Sequence, residues 1–297
     1  MKFTTTTFTH LAHPLRSVCA LALAACFGAV QAEPTLPQVA SGQATFAQQG
    51  NVFSITTSPS AIINWQSFSV KQGEITRFVQ QSADSSVLNR IVGHDPSQIL
   101  GALQSNGHVF LINPNGIVFG KDARVDVNGL TASTLGLSNA DYLAGVKHFT
   151  GSGAAVVNQG SIITPSGGKV YLIASSVENS GIISAPNGDV VLAAGHTVRL
   201  ADSSNPDLHV VLSAPEHQAV NLGQVVADGG RVGIYGALVR QRGVVNADSA
   251  RIDASGKVVL RASGDVILDA ASVTSARAQA RRCGQRAGSA RGHRRRH

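Results

Sequence analysis

Cysteine is almost absent from this chain, with only 3 among 297 residues. Cys19 and Cys26 lie in an apolar N-terminal segment, which leaves Cys283 alone in the remainder. A disulfide framework is therefore excluded, and the fold has to rely on hydrophobic packing and hydrogen bonds. A chain of this length can nevertheless bury a sizeable core, as one large domain or two ordinary ones.

Aromatic residues are also scarce, at 5% of the chain, whereas glycine reaches 31 residues. Valine, isoleucine, serine and alanine fill much of the remainder. This mixture suits many short strands joined by tight turns better than a bundle of helices. The composition therefore predicts an all-β protein.

Positive charge is confined to the two ends of the chain. The formal net charge is +7, from 24 basic and 17 acidic residues. Eight arginines lie within 277–297, and Lys2 and Arg16 lie near the N-terminus. Residues 33–276 then carry 14 basic and 17 acidic side chains and are slightly acidic. A uniformly basic face is unsupported, so no nucleic-acid partner is predicted.

The first 32 residues have the features of a secretory signal peptide. Lys2 and Arg16 supply positive charge, and residues 18–30 form an apolar run too short to span a bilayer. Small residues before Glu33 make Ala32 the predicted cleavage position. Two alternatives are a buried apolar helix and a lipoprotein box at residues 23–26, with Cys26 lipidated. The apolar run continues past Cys26, which favours cleavage after Ala32.

Residues 37–128 predict irregular strands and one short helix. The run at 62–70 alternates without a cleanly apolar face, which is typical of a rim or cap strand. Asp95 is a good N-cap residue, Pro96 suits the first helical position, and Gln98 stands three residues after the cap. The apolar residues Ile99, Leu100 and Leu103 follow, and Gly107 closes the segment. This pattern predicts a helix of about two turns.

Beyond Gly151 the sequence repeats with a period near 21 residues. One series places a glycine two residues after an amide side chain, at Asn158, Asn179 and Asn221, with separations of 21 and 42 residues. A second series begins with a glycine before an apolar run, at Gly168, Gly188 and Gly230, with separations of 20 and 42 residues. Looser copies begin at Gly256 and Gly264.

This period predicts a right-handed parallel β-helix, with an irregular N-terminal cap and first coils over residues 33–135 and regular repeats over 136–276. Successive coils would lie about 4.8 Å apart. The predicted inward residues include Val170, Leu172, Val266 and Leu268, with their neighbours facing water. Asn158, Asn179 and Asn221 are predicted to stack at one corner and to share amide hydrogen bonds.

Two other architectures fit the repeats less well. A leucine-rich horseshoe requires a leucine spacing and helical segments that the repeats lack. An antiparallel sandwich does not explain why the 21-residue phase persists across a skipped copy.

Residues 277–297 contain no isoleucine, leucine, valine or aromatic residue and are predicted to form a disordered basic tail. Such a tail could bind acidic polymers. A shifted reading frame or an arbitrary truncation is the favoured interpretation, because a repeat array cut in mid-phase lacks the polar terminal repeat that it needs.

The most informative segment runs from Val109 to Gly120, where two apolar runs flank Asn113-Pro114-Asn115-Gly116. Proline fixes φ, asparagine tolerates unusual backbone regions, and glycine accepts positive φ, so each residue suits a turn. Together with residues 63–68, 77–80, 87–91, 95–99 and 129–134, this segment makes residues 60–135 resemble a known family. The family is the N-terminal secretion domain, or haemagglutination activity domain, of filamentous-haemagglutinin-like exoproteins.

The resemblance implies a substrate of two-partner secretion in a Gram-negative bacterium. Such a protein reaches the periplasm through the Sec machinery and is recognised there by the periplasmic modules of an outer-membrane transporter. It then emerges as a secreted or surface-bound β-helical adhesin, with host cell surfaces or glycans as further partners. Asn113, Pro114, Asn115 and Gly116 correspond to the turn motif of the family. They serve either as a transporter contact or as a turn that locks neighbouring coils, and no cofactor is implied.

Parallel β-helices also include polysaccharide-active enzymes, which need clustered carboxylates. The candidate acids lie mostly at turns, namely Asp189, Asp228, Asp265 and Asp269. The histidines of the central region lack metal-ligand spacing, namely His94, His108, His148, His196, His209 and His217. No catalytic, cofactor-binding or metal-binding residue is therefore predicted, and the protein is not expected to be an enzyme. Direct glycan binding is a further alternative, weakly motivated because the central region is slightly acidic.

Overall fold

The computed structural model describes residues 34–200, 210–213, 217–252 and 256–279. The predicted leader, including Cys26 and Ala32, and residues 280–297 of the predicted tail lie outside these residues. The prediction of disorder from residue 277 onward was wrong for Ala278–Gln279, which form a strand. The described part forms thirty short strands and one short helix. None of its helices is long and apolar enough to cross a membrane.

The elements of the N-terminal half are β1 (Gln38–Ser41), β2 (Ala44–Gln49), β3 (Val52–Thr57), β4 (Ala61–Trp65), β5 (Ile75–Val79), β6 (Ser86–Ile91), β7 (Ser97–Ile99), β8 (Ala102–Ile112), β9 (Ile117–Phe119), β10 (Arg124–Ser133), β11 (Gly136–Leu137), α1 (Asn139–Leu143) and β12 (Lys147–Thr150). Next come β13 (Ala155–Asn158), β14 (Ser161–Ile163), β15 (Lys169–Ala174), β16 (Ser176–Asn179), β17 (Ile182–Ser184), β18 (Asp189–Ala194), β19 (Thr197–Leu200), β20 (Val210–Ser213) and β21 (Gln218–Asn221). The last elements are β22 (Gln224–Val226), β23 (Arg231–Gly236), β24 (Leu238–Gln241), β25 (Val244–Asn246), β26 (Ser249–Ile252), β27 (Lys257–Ala262), β28 (Val266–Leu268), β29 (Val273–Ser275) and β30 (Ala278–Gln279).

Three stacks of parallel strands form the faces of a right-handed β-helix. The first face stacks β3, β5, residues 102–105 of β8, the start of β10, β14, β17, β22, β25 and β29. The second face stacks β4, β6, residues 108–112 of β8, the end of β10, β15, β18, β23 and β27. The third face stacks β7, β9, β13, β16, β21, β24 and β28. Each coil visits the three faces in this order.

The register shows how the 21-residue period arises. Lys169 pairs with Asp189 across 20 residues, and Ser161 pairs with Ile182 across 21 residues, each pair joining adjacent coils. Asp189 pairs with Arg231, also on adjacent coils, although 42 residues separate them. The extra residues include the β19–β20 hairpin. The expectation of a skipped copy was therefore wrong, because the 42-residue interval contains one coil and one insertion.

Two insertions build a second sheet outside the coils. The first carries β11, α1 and β12, and the second carries β19 and β20, and the four strands pair antiparallel. This sheet and α1 cover the outer side of the second face, where Tyr171, Ile173 and Val191 pack with Phe149 and Val198. The expectation that the neighbours of inward residues face water was therefore wrong on this face. Both sides of the second face are therefore buried, the inner side in the coil interior and the outer side beneath the second sheet.

The interior of the coils is a continuous apolar column. Val170 and Leu172 are fully buried within it, which confirms their predicted direction. Val266 and Leu268 lie in register with the interior residues Val239 and Gln241, yet they are 43% and 57% exposed. They occupy inward positions in the last described coil, which no further described coil covers. Their predicted burial was therefore wrong, although their register follows the repeat.

The helix predicted after Asp95 is a strand in the structure. Residues 97–99 form β7, whose Ser97 N–H donates to Gly116 O at 2.9 Å and whose Ile99 O accepts from Gly120 N–H at 2.9 Å. Ile99 is fully buried in the interior. Ladder bonds and burial therefore outweigh the local capping signals. The only helix among the described residues is α1, which begins after Ser138.

Aromatic side chains close the N-terminal end of the column. β1 and β2 pair antiparallel with β4 and β3, which removes the open edge of the first coil. The ring of Trp65 lies 5.6 Å from Phe46, 6.4 Å from Phe53 and 5.5 Å from Phe68, in edge-on contacts. Trp65 is fully buried, and its Nε1–H donates to Asn89 Oδ1 at 3.0 Å. The cap is thus two strands and an aromatic cluster over the first coil.

Candidate functional site: the Asn113–Gly116 turn and an interior amide ladder

The Asn113–Gly116 segment forms the corner between the second and third faces, where β8 ends and β9 begins. Gly116 N–H donates to Asn113 O at 3.1 Å and closes a four-residue turn. Pro114 takes the first central position and its side chain is exposed. Gly116 has φ +117°, a backbone region that favours glycine.

Asn113 is fully buried, and its amide group is saturated with hydrogen bonds. Its Nδ2 donates to Asp95 O and to Ser97 Oγ, each at 3.0 Å. Its Oδ1 accepts from Asn115 N–H at 3.0 Å. Its backbone N–H donates to Ser133 O at 2.9 Å on the next coil. The residue therefore joins the chain segments on either side of its own coil.

The rest of the turn extends these connections. Asn115 Nδ2 donates to Gly93 O at 2.8 Å, and Pro114 O accepts from Ala154 N–H at 2.9 Å. Both asparagine side chains are thus bound to neighbouring protein groups. The Pro114 ring is the exposed side chain that the turn presents on the surface.

The three asparagines of the repeat form a hydrogen-bonded row inside the third face. Each is the last residue of its strand, in β13, β16 and β21, and each is fully buried. Asn158 Nδ2 donates to Asn179 Oδ1 at 2.7 Å, and Asn179 Nδ2 donates to Asn221 Oδ1 at 2.8 Å. We call this row the amide ladder.

The amide ladder continues to a residue that sequence reasoning missed. Asn221 Nδ2 donates to Gln241 Oε1 at 2.8 Å, and Gln241 Nε2 donates to Gly243 O at 3.0 Å. The signal was present, because Gln241 precedes a glycine by two residues, as the asparagines do. At the other end Asn158 lies over Phe119, and Asn158 Oδ1 has no hydrogen-bond partner. The ladder is therefore polar in its interior and ends on an apolar residue.

Two of the four acidic residues considered as catalytic candidates, Asp189 and Asp269, pair with arginines. Asp189 accepts two hydrogen bonds from Arg231, at 2.7 and 2.9 Å, and Asp269 forms an ion pair with Arg242. The hydrogen bond with Asp189 raises the pKa of the Arg231 guanidinium. These contacts are typical of charge pairs that join adjacent coils.

Among the histidines, the structure brings His196 and His217 together at 2.7 Å between their Nε2 atoms. Their spacing of 21 residues equals the repeat period, a signal that sequence reasoning missed. His209 lies outside the described residues.

Comparison with known proteins identifies the fold. The family model described as the TPS (two-partner secretion) secretion domain matches residues 29–275. The chain belongs to the TPS secretion domain family. It is similar to the solved HMW1 secretion domain from Haemophilus influenzae, with 41% identity, a TM-score of 0.79, and coverage of 83% of this chain and 67% of that one. The TPS domain described here is therefore a right-handed β-helix of the same kind.

A curated relative extends the comparison. The heme/hemopexin-binding protein of Haemophilus influenzae is 32% identical over 242 residues, which cover 75% of this chain and 24% of the relative. A second protein of that description is 37% identical over 93 residues, covering 31% of this chain and 10% of its own length. The chain thus spans about a quarter of the first of these relatives.

Family membership confirms the predicted resemblance and the function of two-partner secretion. A TPS domain implies export and an outer-membrane transporter as its partner. The matches are to secretion domains and exoproteins, and they give no support to the alternative of a polysaccharide-active enzyme.

Proposed function

We propose that the TPS domain enters the periplasm through the Sec machinery, with its leader removed after Ala32, and binds the periplasmic modules of its transporter. On the outside it then nucleates a longer β-helical adhesin that contacts host cells or glycans. The observation that supports the nucleating role is the exposure of inward residues in the last coil that the structure describes. Val266 and Leu268 hold inward positions there and are 43% and 57% exposed, so a further coil would bury them.

Folding on the outside supplies a driving force for export. Each coil that stacks on the previous one removes apolar side chains from water, at roughly 25 cal/mol per Å². Val170 and Leu172 in one coil cover Val190 and Leu192 in the next. A coil that has stacked cannot slide back through a narrow pore without exposing these residues again. Coil formation thus biases movement outward without ATP.

The Asn113–Gly116 turn has a structural role in this proposal. Its two asparagine amides are consumed by bonds within the domain, so they are not available to a transporter. A direct contact would involve the exposed Pro114 ring. The turn supports recognition indirectly, because it maintains the stacking of the coils that the transporter binds.

The driving-force proposal can be tested by placing charge inside the coils. The full chain is produced with its partner transporter in a Gram-negative host, and the amount in the medium is compared with the amount in the cells. Leu172→Asp and Leu192→Asp should each reduce secretion strongly, because a buried unpaired carboxylate opposes stacking. Ile182→Asp is the matched control, since Ile182 is 47% exposed and its substitution should leave secretion unchanged. Normal secretion of the two inward variants would contradict the proposal.

The role of the turn can be tested by comparing Asn113→Asp with Pro114→Ala. The first keeps the side-chain volume but removes the two hydrogen bonds donated by Nδ2, so it should lower both the unfolding temperature and secretion. The second removes an exposed ring and should change neither. Reduced secretion of Pro114→Ala at an unchanged unfolding temperature would instead identify the turn as a transporter contact.

A further inference from the structure

His196 and His217 flank the second insertion of the domain. His196 lies after β18, a strand of the coil, and just before β19, the first strand of the hairpin. His217 directly precedes β21, where the chain returns to the third face. The two side chains are partly exposed, so dissolved ions can reach them. The pair therefore joins the two ends of the β19–β20 insertion.

The geometry of the pair determines which nitrogen of His196 carries a proton. His196 Nδ1 lies 3.2 Å from Gly151 O. A carbonyl oxygen only accepts, so Nδ1 is the protonated nitrogen and the neutral ring presents an Nε2 lone pair. This lone pair faces His217 Nε2 at 2.7 Å, with the two ring planes at 88°. In the hydrogen-bonded pair His217 Nε2–H is then the donor.

We propose that His196 and His217 bind a divalent transition-metal cation of the Zn²⁺, Ni²⁺ or Cu²⁺ type through their two Nε2 atoms. A backbone carbonyl on the second ring nitrogen is the usual support of a metal-binding histidine, because it fixes the tautomer and the ring orientation. Imidazole nitrogen suits these cations, whereas Mg²⁺ and Ca²⁺ prefer oxygen ligands. Gly151 thus supplies the supporting contact and the two imidazoles supply the ligands.

The change needed on binding is small. Metal–nitrogen bonds of about 2.0–2.1 Å at a tetrahedral angle place two nitrogens roughly 3.3 Å apart. The separation of 2.7 Å between the Nε2 atoms would therefore widen by about 0.6 Å. The proton of His217 would move from Nε2 to Nδ1, so that its ring stays neutral and Nε2 has a lone pair for the metal. Among the described residues the pair supplies two protein ligands, since no group of three or more His, Cys, Asp or Glu is placed for a metal there.

The bound cation would act as a clip at the base of the insertion. It would connect the end of β18 to the start of β21 and, through Gly151, to the segment after β12. A cation that binds the folded state and not the unfolded chain raises the unfolding temperature by mass action. The bound cation should stabilise the outer sheet most, because the two insertions that form this sheet meet at the histidine pair.

The test is calorimetric titration of the purified full chain with ZnCl₂, NiCl₂ and CuCl₂ at pH 7.5, after all thiols have been alkylated. His196→Gln and His217→Gln should each remove one equivalent of bound metal or weaken it at least tenfold. His94→Gln, at an exposed histidine, is the matched control and should bind as the unaltered chain does. MgCl₂ should give no such signal. Equal binding by all three variants and the unaltered chain would overturn the proposal.

A second measurement needs no variant and so does not depend on how the variants fold. The unaltered chain is treated with diethyl pyrocarbonate with and without ZnCl₂, and the modified histidines are located by mass spectrometry. Zinc should protect His196 and His217 while His94 stays equally reactive. Protection of neither flanking histidine, or equal protection of His94, would also overturn the proposal.

Discussion

The amide ladder offers a comparison between two substitutions of the same type at equally buried positions. Asn179 lies within the ladder, where it accepts from Asn158 at 2.7 Å and donates to Asn221 at 2.8 Å. Asn158 lies at its end, where its Nδ2 donates and its Oδ1 already lacks a partner. Asn179→Ala and Asn158→Ala remove the same atoms from fully buried sites, so the packing loss is similar in both.

The two variants differ in how many buried polar groups they leave without a hydrogen-bond partner. Asn179→Ala orphans two buried groups, the Nδ2 of Asn158 and the Oδ1 of Asn221, at about 1–3 kcal/mol each. Asn158→Ala orphans one group, the Oδ1 of Asn179, and also deletes an acceptor that is already unsatisfied. Asn179→Ala should therefore be the more destabilising by about 1–3 kcal/mol, the cost of one buried unsatisfied group.

Urea denaturation followed by circular dichroism measures this difference. The midpoint should fall for both variants, and further for Asn179→Ala, with an unchanged slope because both fold to the same structure. In thermal unfolding the gap should correspond to roughly 2–4 °C per kcal/mol for a domain of this size. Equal losses of stability, or a larger loss for Asn158→Ala, would refute the assignment of the ladder as a directional chain of amide bonds.

Three further predictions follow from close contacts and charge. Gly188→Ala should cost about 3 kcal/mol or more of stability, because a Cβ there would overlap a carbonyl of the coil below. Gly50 has open space around it and φ +60°, so Gly50→Ala should cost only about 1 kcal/mol. Urea denaturation measures both losses. Burial raises the pKa of Tyr142 to about 12, so a stabilisation of roughly 3 kcal/mol should be present below pH 10 and lost between pH 10 and 12. A pH series of unfolding measurements, with Tyr142→Phe as the control, checks this. A double-mutant cycle of Asp189→Ala and Arg231→Ala should give a coupling of about 1.5–3 kcal/mol, and a value near zero would contradict their bidentate pairing.

The repeat period carried most of the information on the coils. A residue stacks on its counterpart in the next coil, so each coil imposes the same inward pattern on the sequence, and the glycines mark corners where backbones approach closely. At Gly188 a side chain would overlap the carbonyl of Gly168. Such constraints are local and recur, which is why a single sequence revealed them. Gln241 escaped notice because it differs in type from the asparagines whose place it takes.

The helix predicted after Asp95 shows where local reasoning stopped. The capping signals there were sound, but Ser97 and Ile99 gain backbone bonds from a neighbouring coil that is distant in sequence. The true helix, α1, has a signal of the same kind, since Ser138 Oγ accepts from Asp141 N–H at 3.0 Å. Two similar local signals thus led to different structures, because only one lay in a segment with ladder partners.

By itself the sequence determined the family, the parallel stacking and the inward direction of residues such as Leu172, because these depend on patterns that repeat along the chain. Only the tertiary structure decided what lies outside the coils. The pairing of β12 with β19 joins segments whose sequences share no period. This pairing arises because both insertions leave the same face of the β-helix, and their separation in space cannot be read from their separation along the chain.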